Sequence, residues 1–383
     1  MRRFGWRLLA LSLGQLISWG ILYYALIVAS PKIAAETPWS LTAITGAFSL
    51  GVIVSGVAGI QVGRWLDAIG PRLIMSLGGV VGPAGLLVVS VSPNLIVFTF
   101  GWVIVGLAQS VSLYQAAFTV VVHRHGRGSR GPMTVLTIAG GLASTVFAPV
   151  VAAMLDVMDW RGMFQVLAAV LFVTIVPLHW FSLERAWTGG SFMPRPTRSL
   201  RSVLRQRRFW VLEAAMLMLL FAVFTVTLSL IPLFMEKGMT YHLAAWALGL
   251  LGAGQLAGRL LYLLLPKGIP PWLPLSLTAG FAATTLAALA VLPGPEWVLI
   301  AFGMLAGALR GAQTLIQATA VVDRWGPESY GSINGFFAAP LTVVMAAAPG
   351  LGPLLAGASG SFAAMALIAA AFAATAAVLA RWT

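Results

Sequence analysis

Apolar runs of about twenty residues follow one another through almost the whole chain, parted by short polar or Pro/Gly-containing breaks, and this repetition leaves few architectures open. A run of that length, wound as an α-helix, crosses the hydrocarbon layer of a bilayer. There every backbone N–H and C=O has to be satisfied inside the protein, which a helix does within its own segment. Twelve spans are expected, at about residues 7–30, 40–62, 72–92, 95–122, 133–155, 160–183, 208–235, 241–265, 271–293, 296–321, 329–355 and 359–380. Composition agrees, because the 383 residues are 60% hydrophobic and only 9% charged, against about 25% charged in a soluble domain. The expectation is an all-α polytopic membrane protein.

A formal net charge of +13 would suggest nucleic acid in a soluble chain, but in a membrane protein the cations have first to be sorted by side. Alternation puts 18 of the 23 Lys and Arg on the side of the N terminus, three on the other (Lys32, Arg161, Lys237) and two within spans (Arg259, Arg310). Cations collect on the cytoplasmic side. Both termini and the central loop are therefore expected in the cytoplasm, in a bacterial-type inner membrane, with the bilayer rather than nucleic acid as partner. The opening "MRRFGWRLLALSLGQLISWG" begins like a signal peptide, yet its apolar run continues to Ser30 without a small-x-small cleavage site, so it reads as a retained first span.

The chain has no cysteine, which removes disulfides, thiolate catalysis and cysteine-ligated metals. "HRH" at 123–125 stands in an Arg/Gly loop with no further ligand in reach along the sequence. His179 and His242 fall near span ends and read as interfacial, and Trp39, Trp160, Trp180 and Trp297 fall at span boundaries and read as an aromatic belt. No nucleotide-binding motif, metal cluster or nucleophile–base pairing is visible, so neither a cofactor nor enzymatic activity is expected.

Six spans precede and six follow one extended polar segment, Glu184 to Arg208, with seven Arg against one Glu. The expected division is a bundle at 1–183, a basic linker at 184–207 and a second bundle at 208–383. Arg198, Arg201, Arg205 and Arg208 share helical spacing, which suits a short helix on an anionic leaflet as well as a solvated linker. The two halves resemble each other: "GLAQSVSLYQAAFTVVVHR" and "GALRGAQTLIQATAVVDR" share a leading Gly, a Gln-Ala pair, a double Val and a closing Arg, at an offset of 201 residues (106 to 307) falling to 200 (124 to 324). Such a duplication places a substrate site between repeats near the bilayer midplane, with Arg310 where the first half has Gln109.

The loop after the second span, "GRWLDAIGPR", sets Gly63, Asp67, Gly70 and Arg72 in the spacing G-x-x-x-D-x-x-G-x-R. Two glycines allow close helix approach and a tight turn, Arg72 stays at the interface, and Asp67 can accept hydrogen bonds from a neighbouring helix N-terminus. With the six-plus-six arrangement, this resembles the major facilitator superfamily across essentially the whole chain. The resemblance implies two pseudo-symmetric six-helix halves, alternating access, and a gating role for these four residues. The matching loop of the second half, "LLPKGIPPW", keeps Gly268 but has no acid.

A narrower resemblance is to the monocarboxylate porters and oxalate/formate exchangers of that superfamily. "SPK" at 30–32 looks like the Pro-Lys pair ending their first span, and "QLAGR" at 255–259 looks like their eighth-span Asp-x-x-x-Arg. This implies Lys32 as an outer capture cation and Arg259 as a carboxylate ligand. Where the proton-moving porters have Asp, this chain has Gln255, which does not titrate.

Charged groups within spans are costly and mark function by default. Arg310 lies near mid-span, too deep to snorkel, and guanidinium binds carboxylate bidentately, so a transported anion is its expected partner. Arg259 is nearer the surface. Glu213, the one carboxylate within a span, is a coupling candidate or an interfacial group. Around the cations, Tyr23, Tyr24, Tyr114, Gln115, Gln255, Gln313, Asn334 and Phe337 fall at depths where amides and hydroxyls would orient a small anion and rings set its size. The expected protein is a monomeric carrier of a small organic anion, a monocarboxylate, working by exchange, by uniport or with a proton that rides on the substrate. The alternative is an exporter of hydrophobic drugs or metabolites.

Overall fold

The computed structural model describes residues 2–184, 200–266 and 268–383, and among these every regular element is helical. In chain order the helices are α1 (Arg2–Trp19), a π-helical turn (Gly20–Tyr24), α2 (Ala25–Glu36), α3 (Leu41–Ile69), α4 (Pro71–Ser90), α5 (Leu95–Ser112), α6 (Tyr114–His125), α7 (Arg130–Gly141), α8 (Ala143–Val157) and α9 (Trp160–Ser182). There follow α10 (Leu200–Leu204), α11 (Arg207–Leu228), α12 (Leu230–Glu236), α13 (Tyr241–Leu263), α14 (Trp272–Val291), α15 (Glu296–Trp325), α16 (Tyr330–Ser359) and α17 (Phe362–Leu379). Among the described residues, 11 helical stretches are long and apolar enough to cross a membrane. The segment expected as the eighth span is also a helix, α13, of 23 residues.

Helix starts follow local chemistry. Ser40, Asn94, Asp159, Thr240 and Ser361 each accept a hydrogen bond from the backbone N–H three residues on, satisfying a donor that the first turn leaves open. Helix ends use cations in the same way. Arg161 donates to the Ser92 carbonyl (2.8 Å), Lys237 to those of Ala290 (2.9 Å) and Leu292 (2.7 Å), and Lys32 to that of Leu155. All three cations expected opposite the N-terminal side thus meet the carbonyl-rich C-terminal ends of helices.

By packing, the chain divides into a first unit, Met1–Ser199 with Gly326–Val343, and a second, Leu200–Trp325 with Val344–Thr383. Of the expected basic linker, residues 185–199 lie outside the described residues, and its tail forms α10. In the first unit Trp102, Trp160, Phe98 and Phe164 are fully buried, with Trp39 and Phe98 rings 5.2 Å apart. Trp160 therefore belongs to the core rather than to an aromatic belt, whereas Trp180 and Trp297 stay exposed.

The repeat read from sequence recurs as a contact inside each unit. A β-carbon on Gly106 of α5 would strike the Gly51 carbonyl of α3, and one on Gly307 of α15 would strike the Leu251 carbonyl of α13. Both helix pairs cross backbone to backbone because glycine leaves no side chain between them.

Candidate substrate site and gating loop

Among the described residues four spans are interrupted partway. The first widens into the π-helical turn Gly20–Tyr24, the fourth breaks at extended Leu113 between α5 and α6, the fifth at Leu142 between α7 and α8, and the seventh at Ser229 between α11 and α12. Interruptions free backbone groups and are the places where membrane carriers present polar atoms to a ligand.

In the first unit, side-chain amides take up the freed carbonyls. Gln109, only 2% exposed, donates to the Leu22 carbonyl at 2.8 Å, and Gln15 donates to that of Ser112 at 2.7 Å. Gln109, expected to face a cavity, instead holds the π-helical turn. That turn carries Tyr23 and Tyr24, whose rings stand 5.2 Å apart, and Trp19 lies 5.1 Å from Tyr23 and 4.8 Å from Tyr114. Tyr114 donates to the Thr137 carbonyl at 3.0 Å and stacks on Phe118, so its ring orientation is locked. Gln115 donates to the Gly59 carbonyl at 3.1 Å. Trp19 joins this cluster although sequence reasoning did not single it out; its spacing of four from Tyr23 was the available signal. Asn334 and Phe337, on the part of α16 that belongs to this unit, are buried.

The loop expected to gate is also in this unit. Gly70, with φ of 92°, ends α3 in a conformation that a β-carbon resists, and Pro71 starts α4. Asp67 accepts from the backbone N–H of Gly331 (3.0 Å) and of Ser332 (2.7 Å) and from the Ser332 hydroxyl (2.6 Å). A carboxylate thus sits on the N-terminal N–H groups of α16, where the helix field favours negative charge. Gly63 makes the approach possible, since a β-carbon there would strike the Gly331 carbonyl. Arg72 lies over the Trp180 ring, 4.1 Å from its centroid.

The second unit holds the two arginines expected within spans. Arg259 on α13 is 8% exposed and its Nε is buried without a hydrogen-bond partner. Arg310 on α15 donates to the Thr227 hydroxyl at 3.3 Å, and its guanidinium lies 3.9 Å from the centroid of Phe224. Their helices pack closely: a β-carbon on Gly258 or Gly311, the neighbours of these arginines in sequence, would strike the carbonyl of Ala308 or Gln255. Gln313 donates to Gln317 at 3.2 Å. Glu213 on α11 is 4% exposed with both carboxylate oxygens unpartnered, so it is interior rather than interfacial.

The model of the Major Facilitator Superfamily matches residues 11–297. No curated protein matches the sequence. Among solved structures, FucP, a Major Facilitator Superfamily transporter in the outward conformation, is similar over 97% of each chain at 16% identity and a TM-score of 0.71. The human organic anion transporter MFSD10 (TETRAN) is similar over 99% of each chain at 15% identity and a TM-score of 0.74. A variant of the E. coli fucose:proton symporter FucP is similar to the same extent as the first. At these identities the likeness is one of fold.

Proposed function

This chain belongs to the Major Facilitator Superfamily, and on that premise we propose that it carries a small organic anion, a monocarboxylate, by alternating access. The observation that carries the reading is Arg259: a guanidinium only 8% exposed, its Nε unpartnered, on a helix whose backbone touches that of the Arg310 helix. A buried cation with an unused donor favours an anionic ligand, and a guanidinium binds a carboxylate bidentately. Phe224 and Thr227 fix the plane of Arg310, which lowers the ordering entropy that binding has to meet. Gln255 and Gln313 are proposed to orient the substrate, and Gln115 and Asn334 are proposed as further polar substrate contacts. Tyr23, Tyr24, Tyr114 and Phe337 are proposed to limit substrate size. Lys32 is proposed to meet the anion first, exchanging the Leu155 carbonyl for carboxylate.

Gly63, Asp67, Gly70 and Arg72 are proposed as the gate, and Glu213 as the place of any coupled proton, since Gln255 cannot hold one. We propose the bacterial inner membrane, both termini cytoplasmic, two bundles at 1–183 and 208–383 joined by the basic linker, twelve spans and a monomer. MFSD10, similar in fold, is an organic anion transporter, which supports this substrate class.

The test is thermal stability of purified protein in detergent against small carboxylates, inorganic anions and neutral or cationic drugs, for wild type and Arg310→Gln together. Carboxylates that raise the melting temperature of wild type alone support the reading. Stabilisation of both proteins by drugs sinks it in favour of the exporter.

A further inference from the structure

The first unit contains a set of buried polar side chains that neither the gate nor the substrate reading uses. Ser12, Gln15 and Ser18 of α1, Ser76 of α4, Ser112 of α5, and His179 and Ser182 of α9 are each no more than 6% exposed. Each has a buried polar atom with no hydrogen-bond partner: the serine hydroxyls, Gln15 Oε1 and His179 Nε2. The spacing puts Ser12, Gln15 and Ser18 on adjoining turns of α1, and His179 and Ser182 one turn apart on α9. Contacts join the two stripes. The His179 ring lies against Gly14, Gln15 donates to the Ser112 carbonyl at 2.7 Å, and the Ser112 hydroxyl lies against Gly78, two residues from Ser76. At one end Ser182 lines a surface cleft with Arg7, Leu11, His123, Arg124 and Glu184, where Glu184 binds Arg7 at 2.7 Å and also Arg124.

His179 corrects the sequence expectation of an interfacial residue, since it is fully buried. Its Nδ1 lies 3.1 Å from the Met75 carbonyl. A carbonyl only accepts, so Nδ1 carries the proton and Nε2 presents a lone pair. The helices packed on α9 are α1, α2, α4 and α8. Among the residues whose side chains are described, their charged groups are Arg7, held by Glu184; Arg72, held over Trp180; and, at the far end with Arg161 of α9, Lys32, Glu36 and Asp156. None of these bonds the imidazole among the described residues.

Buried polar groups in native proteins are satisfied by protein or by ordered water, and a contiguous set left open by the protein marks a place for water. We propose that this set binds a file of internal water molecules leading from the Glu184 cleft past Ser182 and His179 to Gln15 and Ser112, and that His179 takes up and returns protons along it. The proton enters on Nε2 and leaves from the same atom, while Nδ1 keeps its bond to Met75. The route ends at Gln15 and Ser112, where the fourth span breaks at Leu113, and so gives solvent protons access to that interruption.

Exchange of histidine ring Cε1 hydrogens with solvent deuterium, read residue by residue by mass spectrometry on the full-length protein in detergent, tests this directly. The exchange needs a protonated ring and water beside it. His179 is expected to exchange within an order of magnitude of exposed His123 and half-buried His125, with a sigmoidal dependence on pH. Absence of exchange at His179 while the other two exchange overturns the proposal.

Hydroxyl-radical labelling gives a second reading of water alone. Met75 should be oxidised several-fold faster than Met163, which is equally buried but sits among Phe and Trp side chains. Equal protection of the two methionines overturns the water file. Gly14→Ala, which places a methyl 3.0 Å from His179 Nε2, is expected to slow both signals several-fold. Full signals in that variant would remove the route from this helix face. Neither measurement involves a substrate, so its failure leaves the anion-carrier reading untouched.

Discussion

Asp67 reaches Ser332, 265 residues away in sequence, through two hydrogen bonds, one from its backbone N–H at 2.7 Å and one from its hydroxyl at 2.6 Å. With Gly331, the pair places a carboxylate on the first turn of α16. Charge-assisted bonds of this kind contribute about 1.5–3 kcal/mol. Asp67→Asn keeps the shape and loses the charge, so thermal unfolding in detergent should report a loss of that order. Ser332→Ala removes one bond of three and should cost roughly 1 kcal/mol. An Asp67→Asn protein as stable as wild type would remove the contact from the list of stabilising interactions.

Arg310 is held flat on Phe224, and a lysine there offers neither the fork nor the stacking plane. Arg310→Lys should weaken carboxylate binding roughly 10- to 100-fold, equivalent to about 1.4–2.7 kcal/mol. Arg310→Gln should abolish it. Titration of the melting temperature with the best carboxylate measures both.

Gly307 lies against the Leu251 carbonyl, and nothing short of moving α15 makes room for a branched side chain. Gly307→Val should cost more than the ~1–3 kcal/mol of ordinary overpacking, because backbone rather than a flexible side chain has to yield. Loss of folded protein in size-exclusion chromatography is the expected result. Gly5, which has open space around it, should tolerate the same change.

Gln109→Leu leaves the Leu22 carbonyl buried and unpaired, at a cost of about 1–3 kcal/mol. The variant should also release the π-helical turn, and with it Tyr23 and Tyr24. A lower melting temperature together with weaker carboxylate binding is expected; a lower melting temperature alone would separate the turn from the substrate.

Much of this was legible in the chain itself. Helical spans follow from apolar length, because a bilayer admits few ways to satisfy a backbone, and that argument needs no tertiary information. The loop between α3 and α4 was readable because its turn needs glycine at fixed spacing, and the repeat because Gly106 and Gly307 open segments that share a Gln-Ala pair, a double Val and a closing Arg. Side-chain partners were not legible. Gln109 and Arg310 occupy matching positions in the two halves, yet one bonds a carbonyl freed by a π-helical turn and the other stacks on a ring.

Depth misled in the same way. Distance from the end of a span says how far a residue lies along the bilayer normal but not which way it faces. His179 and Glu213, both near span ends, are buried, and Trp160 sits in the core rather than at the lipid surface. Sequence by itself determined the helical membrane architecture, the duplication and the turn chemistry of the loop, since these rest on local length, composition and spacing. Tertiary structure alone decided which polar groups pair and which are left open, because that depends on how neighbouring helices rotate about their axes, set by close contacts such as Gly63 against Gly331 that no local pattern encodes.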